Sequence, residues 1–204
     1  MSPERWLDLM KGLEVGEHLE MFRRVHDAYC ERHRHYHTVA HIDACLRELD
    51  SFRSLAKFAY EVEAAVWFHD VIYTPTASDN EIRSADLAVQ FLASAGLASE
   101  ACNRVHAHVM ATAHGAEPTD PDSALVVDVD LSILGQDSAA YDQFELQVRE
   151  EYKRVPRFLY RRKRAEILRS FLKRKFIYAT AQFRERYEAP ARANLERAIT
   201  RLAK

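Results

Sequence analysis

The stretch FAYEVEAAVWFHDVIYTPTASDNEIRSADLAVQFLASAG, residues 58–96, decides the reading of this chain. Residues 58–72 carry apolar side chains at helical spacing. Residues 73–79, YTPTASD, hold a proline and end in Asp79, which suits the N-cap of the helix opening NEIRSA. Helical spacing then resumes to residue 96. The same periodicity runs through nearly the whole sequence and predicts helices over 4–12, 16–31, 37–54, 58–72, 80–96, 98–114, 124–134, 138–153, 157–177 and 182–203. A second loop, GAEPTDPDS at 115–123, separates two strongly apolar helices. Five glycines and six prolines are few for a sheet-rich chain of 204 residues, which would need more turn residues. The expected fold is an all-α, single-domain helical bundle, since this length suits one well-cored domain and is short for two.

Charge excludes several classes. With 29 basic and 31 acidic residues and a formal charge of −2, the chain reads neither as disordered nor as a coat for nucleic acid. The segment RFLYRRKRAEILRSFLKRK, 157–175, is strongly basic but reads first as an amphipathic helix with a solvated face. Lys163 and Arg164 within it are also weaker candidates for attracting a phosphate. Cys30, Cys45 and Cys102 are dispersed and odd in number, which argues against a disulfide framework or a thiolate zinc site and for buried free thiols. No signal peptide and no membrane span is expected, and the expected location is cytoplasmic.

Ten histidines make the chain rich in metal-ligating groups. The dipeptide His-Asp is weak evidence alone, and it occurs twice. His26-Asp27 sits among exposed-type residues in MFRRVHDAYCE and reads as surface. His69-Asp70 ends the apolar tract AAVWFHDVIY, where a carboxylate is costly unless paired or bound to a cation. His37 and His41 are four apart and project from one helical face. ALVVDVDLSILG places Asp128 and Asp130 in another apolar helix, about 200° apart, so that only one of them can face a given metal. Helices carrying His, His-Asp and Asp could converge on one cation and leave positions open for water.

The order H…HD…D resembles the HD superfamily of metal-dependent phosphohydrolases, and is similar to a small bacterial branch of it. The resemblance covers roughly residues 30–155 and rests on RHYHTVAHI, FHDVIY, DNEIRSA, DVDLSILG and VREEY. It implies an HD-domain, phosphodiesterase-like helical bundle, with a metal-site core at 30–155 and C-terminal helices 156–204 packed on it. It implies metal ligation by His41, His69, Asp70 and, at the head of DLSILG, Asp130 rather than Asp128. In two-metal members an extra histidine near the place of His114 binds the second metal. This chain lacks a clear further histidine between His69 and His106, so one metal is expected, with His114 reaching substrate phosphate or a bound anion. His106 and His108 read as structural or exposed.

The implied reaction is hydrolysis of a small phosphate ester, with a nucleotide favoured by the resemblance alone. The implied cofactor is one divalent transition metal, Mn, Ni, Co, Fe or Zn, with Mg as a further candidate. Asp70 would also orient or deprotonate water, and Glu81 is the candidate second carboxylate for proton transfer. Arg34 and His37 would bind phosphate oxygens, with Arg164 in a lesser part. Trp67, Phe68 and Tyr73 could stack on a base but read more naturally as core. Neither membrane nor nucleic acid is expected as a partner, and a homodimer is left open. Two rivals remain. One is an HD-type metal-binding regulatory or interaction module without turnover. The other is a metal-dependent oxygenase, for which the histidine set looks incomplete.

Overall fold

The computed structural model describes residues 1–115 and 117–203. It is all-helical, with no strand among the described residues. The chain divides into two compact units, Met1–Asp130 and Leu131–Lys204.

The first unit holds α1 (Pro3–Gly12), α2 (Leu19–Tyr29), α3 (Val39–Phe52), α4 (Ala59–Phe68), α5 (Asn80–Ser94), α6 (Ser99–Ala111) and α7 (Pro121–Asp130). A short 3₁₀ turn, Arg53–Leu55, follows α3. Helix α4 is the hub and packs against α1, α3, α5, α6 and α7. Its sequence dictates that place. Glu61 to Phe68 are buried without a break, and a helix that is apolar nearly all round must be enclosed by others. Its two buried acids are neutralised by arginines. Glu61 accepts a paired contact from Arg104 at 2.6 and 2.7 Å, and Glu63 accepts from Arg5 at 2.8 Å and from Arg53. The aromatic core gathers at one side, where fully buried Trp6 meets Trp67 edge-on at 5.3 Å, with Phe22, Phe68 and Phe91 around it.

The N-terminus of α4 has no side-chain cap of its own. Buried Asp122, from the first turn of α7, supplies one by accepting the backbone N–H groups of Lys57 and Phe58, each at 2.8 Å. Helix α7 itself starts three residues earlier than the apolar pattern predicts. Pro121 suits a first helical position, and Asp120 accepts the N–H of Ser123 at 2.8 Å. The loop expected at 115–123 includes Ala116, which lies outside the described residues.

The second unit holds a 3₁₀ segment, Leu131–Gly135, then α8 (Ser138–Glu151), α9 (Arg157–Lys173) and α10 (Ala181–Leu202). A Cβ on Gly135 would lie 2.6 Å from the Cβ and 2.8 Å from the carbonyl oxygen of Tyr187, so only glycine permits this approach. Asn194 donates to the carbonyls of Leu134 and Gln136 at 2.9 and 2.8 Å. Helix α9 stops at Lys173 rather than 177. Ile177 and Tyr178 direct their N–H groups to the Glu188 carboxylate instead of to a further helical turn. Cys45 and Cys102 are buried free thiols as expected, whereas Cys30 is exposed. Among the described residues no helix is long and apolar enough to cross a membrane.

Candidate metal centre

The ends of four helices in the first unit deliver the site. His41 lies in the first turn of α3, behind the N-cap position Thr38. His69 and Asp70 follow the last residue of α4, and Asp130 is the last residue of α7. His114 lies just beyond α6 with a φ of 55°. Histidine is among the few residues besides glycine that visit this left-handed region, and from there its ring reaches Asp130.

The distances describe one tight cluster. The Nε2 atoms of His41 and His69 are 3.2 Å apart, and Asp130 Oδ1 lies 3.4 Å from the first and 3.5 Å from the second. Asp70 Oδ2 lies 3.2 Å from His69 Nε2 and 3.7 Å from His41 Nε2. Two further histidines flank the carboxylates. His114 Nε2 donates to Asp130 Oδ2 at 3.2 Å, and His37 Nε2 stands 4.0 Å from Asp70 Oδ2. His41 is 5 % and His69 2 % exposed, so water does little to screen these charges.

This donor set fits a divalent cation. Bonds of about 2.1 Å to nitrogen and oxygen place neighbouring donors roughly 3.0 Å apart in an octahedron and roughly 3.4 Å apart in a tetrahedron. The ligand atoms of His41, His69 and Asp130 are spaced on that scale and could hold a metal ion together. The tautomer of His69 agrees. Its Nδ1 lies 2.9 Å from the Val66 carbonyl, which can only accept, so Nδ1 carries the proton. In the neutral ring the lone pair of Nε2 then faces two carboxylates and another imidazole nitrogen, an arrangement that calls for a positive charge between them. Imidazole and carboxylate together suit Mn, Fe, Co, Ni and Zn.

Without a cation, a proton takes its place. Burial opposes charge on His69, but Asp70 and then Asp130 overcome this and hold its pKa well above the ordinary histidine value. For His41 burial prevails over the attraction of Asp130, and its pKa is lowered. Burial would raise both carboxyls. Instead His69 and His37 pull Asp70 down, and the contacts of Asp130 with His114, His41 and His69 hold it well below the carboxylate range. Cys45, whose Sγ lies 3.7 Å from His41 Nδ1, is pushed well up by burial and stays a thiol.

The remaining sequence candidates are placed differently. Arg34 is buried and directs its guanidinium to protein carbonyls in place of an open phosphate site. Nη1 donates to Asp70 O at 2.7 Å and His37 O at 3.3 Å, Nη2 donates to Val71 O at 3.0 Å, and Nε pairs with Glu31 at 3.0 Å. Glu81 stands half-buried in the first turn of α5 and makes no hydrogen bond or ion pair among the described residues. Arg164 belongs to the second unit, where it pairs with Glu145 at 2.7 Å, and Lys163 pairs with Glu166 at 3.1 Å. Asp128 is fully buried and lies outside the cluster. His26 and Asp27 are a surface pair, with the Asp27 side chain 82 % exposed. His108 is buried against Ser123 at 2.8 Å, and His106 is half-exposed beside Asp86. Trp67 and Phe68 are core. Sequence reasoning missed Tyr29 and the Val66 carbonyl. Tyr29 is an ordinary apolar position in its helix, and no spacing rule marks which carbonyl will orient a ring.

Fold and site together define an all-helical protein with a candidate His–His–Asp metal centre. Comparison of the chain with protein-family models, with curated proteins and with solved structures returns no match.

Proposed function

We propose that the chain is a metal-dependent phosphohydrolase of the HD kind, acting on a small phosphate ester. A nucleotide is the substrate class favoured by the sequence resemblance. The observation that carries the reading is the cluster of buried His41 and His69 with part-buried Asp130, and Asp70 against it. Its order along the chain matches the H…HD…D pattern. His41, His69 and Asp130 would hold the metal, with Asp70 completing the set. The metal, when bound, supplies Lewis acidity toward a phosphoryl oxygen and lowers the pKa of a coordinated water.

The chain's own groups have defined parts in this reading. Asp70, whose Oδ2 lies 3.2 Å from His69 Nε2, would orient or deprotonate the attacking water besides binding the metal. His37, part-exposed beside Asp70, presents an N–H to a substrate phosphate oxygen. His114 keeps its Nε2 proton on Asp130 Oδ2 and so fixes the direction of that carboxylate. Glu81, Arg34 and Arg164 are given no contact with substrate.

The test is hydrolysis of a panel of phosphomonoesters and phosphodiesters, nucleotides included, with Mn, Co, Ni, Mg and Zn each supplied to metal-stripped protein. Release of phosphate or of a nucleoside with one of these metals, absent in Asp70→Asn, is the expected result. Wild-type protein that binds metal yet hydrolyses nothing in the panel would leave a binding module in place of the enzyme.

A further inference from the structure

The His-Asp doublet does not lie within a helix. It sits in the turn after Phe68, where backbone groups have lost their helical partners and need others. Ser84 serves both backbone groups of Ile72, and one short segment, residues 29–34, supplies the partners around the doublet itself. The Tyr29 hydroxyl donates to Trp67 O at 3.0 Å and accepts the Asp70 N–H at 3.3 Å. Arg34 donates to Asp70 O at 2.7 Å and Val71 O at 3.0 Å. His33 Nε2 donates to Tyr73 O at 2.9 Å. Backbone groups of Trp67, Asp70, Val71 and Tyr73 are thus bound to side chains from one stretch.

The Arg34 guanidinium lies between two aromatic rings, 5.1 Å from the centre of Tyr29 and 5.4 Å from that of Tyr73. Its side chain has no solvent exposure. A planar fork with donors on both arms suits two adjacent carbonyls, a geometry an ammonium cannot copy. The same Nη1 also reaches His37 O at 3.3 Å, so the fork joins the entry to α3, which carries His41, to the turn that carries Asp70.

We propose that Tyr29 and Arg34 are positioning residues for the metal centre, fixing the backbone of the doublet so that the Asp70 carboxylate meets the imidazoles in one orientation. The proposal rests on the metal reading above. Arg34 touches neither substrate nor metal in it. Its effect runs through the peptide groups of Asp70 and Val71.

Cobalt(II) titration of the metal-stripped chain tests this, because the visible absorption of bound cobalt reports coordination geometry as well as affinity. Arg34→Lys keeps the charge and loses the fork, and Tyr29→Phe removes one hydroxyl. Each should weaken cobalt binding by about tenfold or more, the range found when groups supporting metal ligands are lost. Each should also move the absorption bands. In Arg34→Ala, millimolar guanidinium ion should restore the wild-type bands. Should Arg34→Lys fail to fold, Tyr29→Phe still decides. Arg104→Lys, which loosens a pair on the far end of α4 at Glu61, should lower the melting temperature and leave the bands in place. Wild-type affinity and bands in both Tyr29→Phe and Arg34→Lys would overturn the proposal, as would equal changes in Arg104→Lys. A wild-type chain that takes up no cobalt would instead overturn the metal reading, and this proposal with it.

Discussion

Asp130→Asn keeps the size of the side chain and removes its charge. In the wild-type chain Asp130 Oδ1 lies 3.4 and 3.5 Å from the two imidazole nitrogens, and Oδ2 accepts from His114 at 3.2 Å. The carboxamide can keep one such contact but cannot serve as an anionic ligand. A metal that binds only the folded state stabilises it by about 4.1 kcal/mol when supplied at a thousandfold excess over its dissociation constant. For a protein of this size each kcal/mol moves the melting temperature by about 2–4 °C. Wild-type protein should therefore melt roughly 8–16 °C higher with a well-bound metal than without it. Asp130→Asn should show little or no metal-induced shift, measured against its own metal-free melt. Asp128→Ala is the contrast. Asp128 is fully buried outside the cluster, so its loss should cost about 1–3 kcal/mol of stability and leave the metal-induced shift intact. Scanning calorimetry with and without metal, and metal analysis of each variant, give the answer. A shift retained in Asp130→Asn and lost in Asp128→Ala would refute the assignment of the ligand.

Three further outcomes follow. Asp27→Asn should leave metal content and turnover unchanged while Asp70→Asn abolishes turnover, and equal losses in an assay of both would mean that the wrong doublet carries the chemistry. The raised pKa of His69 means that a metal must displace a proton there, so affinity should rise as the pH climbs past the ordinary histidine range and then level off. In the metal-free chain, the stability contributed by that protonated ring should be complete below the ordinary histidine pKa and fade as pH rises through its folded-state value. Titrations and melts across neutral to alkaline pH check both signs, and metal affinity that falls with rising pH would contradict them. Gly135→Ala should destabilise the second unit by about 1–3 kcal/mol, since its Cβ meets a backbone carbonyl that cannot move aside cheaply. A denaturant melt unchanged from wild type would remove that constraint.

Periodicity is a property of neighbours in sequence, and it served where neighbours decide. The order of the helices, the enclosed place of α4 and the surface place of His26-Asp27 were all legible, because runs of apolar or charged side chains announce which faces are covered. Of the centre, the residues themselves pointed to His69-Asp70 in its apolar tract and left His37 or His41, and Asp128 or Asp130, as candidates; the choice of His41 and Asp130 came from the family resemblance. What could not be read depends on partners far along the chain. Arg34 looks like any exposed base in RHRHYH, yet its donors meet the carbonyls of residues 70 and 71. Glu81 was chosen for following the doublet in sequence, and proximity of that kind does not aim a carboxylate. Asp122 sits among turn residues, and its capping of α4 depends on how α7 packs.

The early end of α4 has a consequence for how this protein could change. In an unbroken helix the Val66 carbonyl would accept the N–H of Asp70, four residues on. Here that N–H turns to Tyr29, and Val66 O is free to accept from the ring of His69. Substitutions after Phe68 that raise helix propensity would close that backbone bond and leave the ring nitrogen to find another acceptor. Stabilising the helix and keeping the ligand's tautomer are therefore opposed demands on residues 69–72. Selection for a sturdier fold, natural or in the laboratory, should accept gains elsewhere in the hub helix and reject them at this one turn.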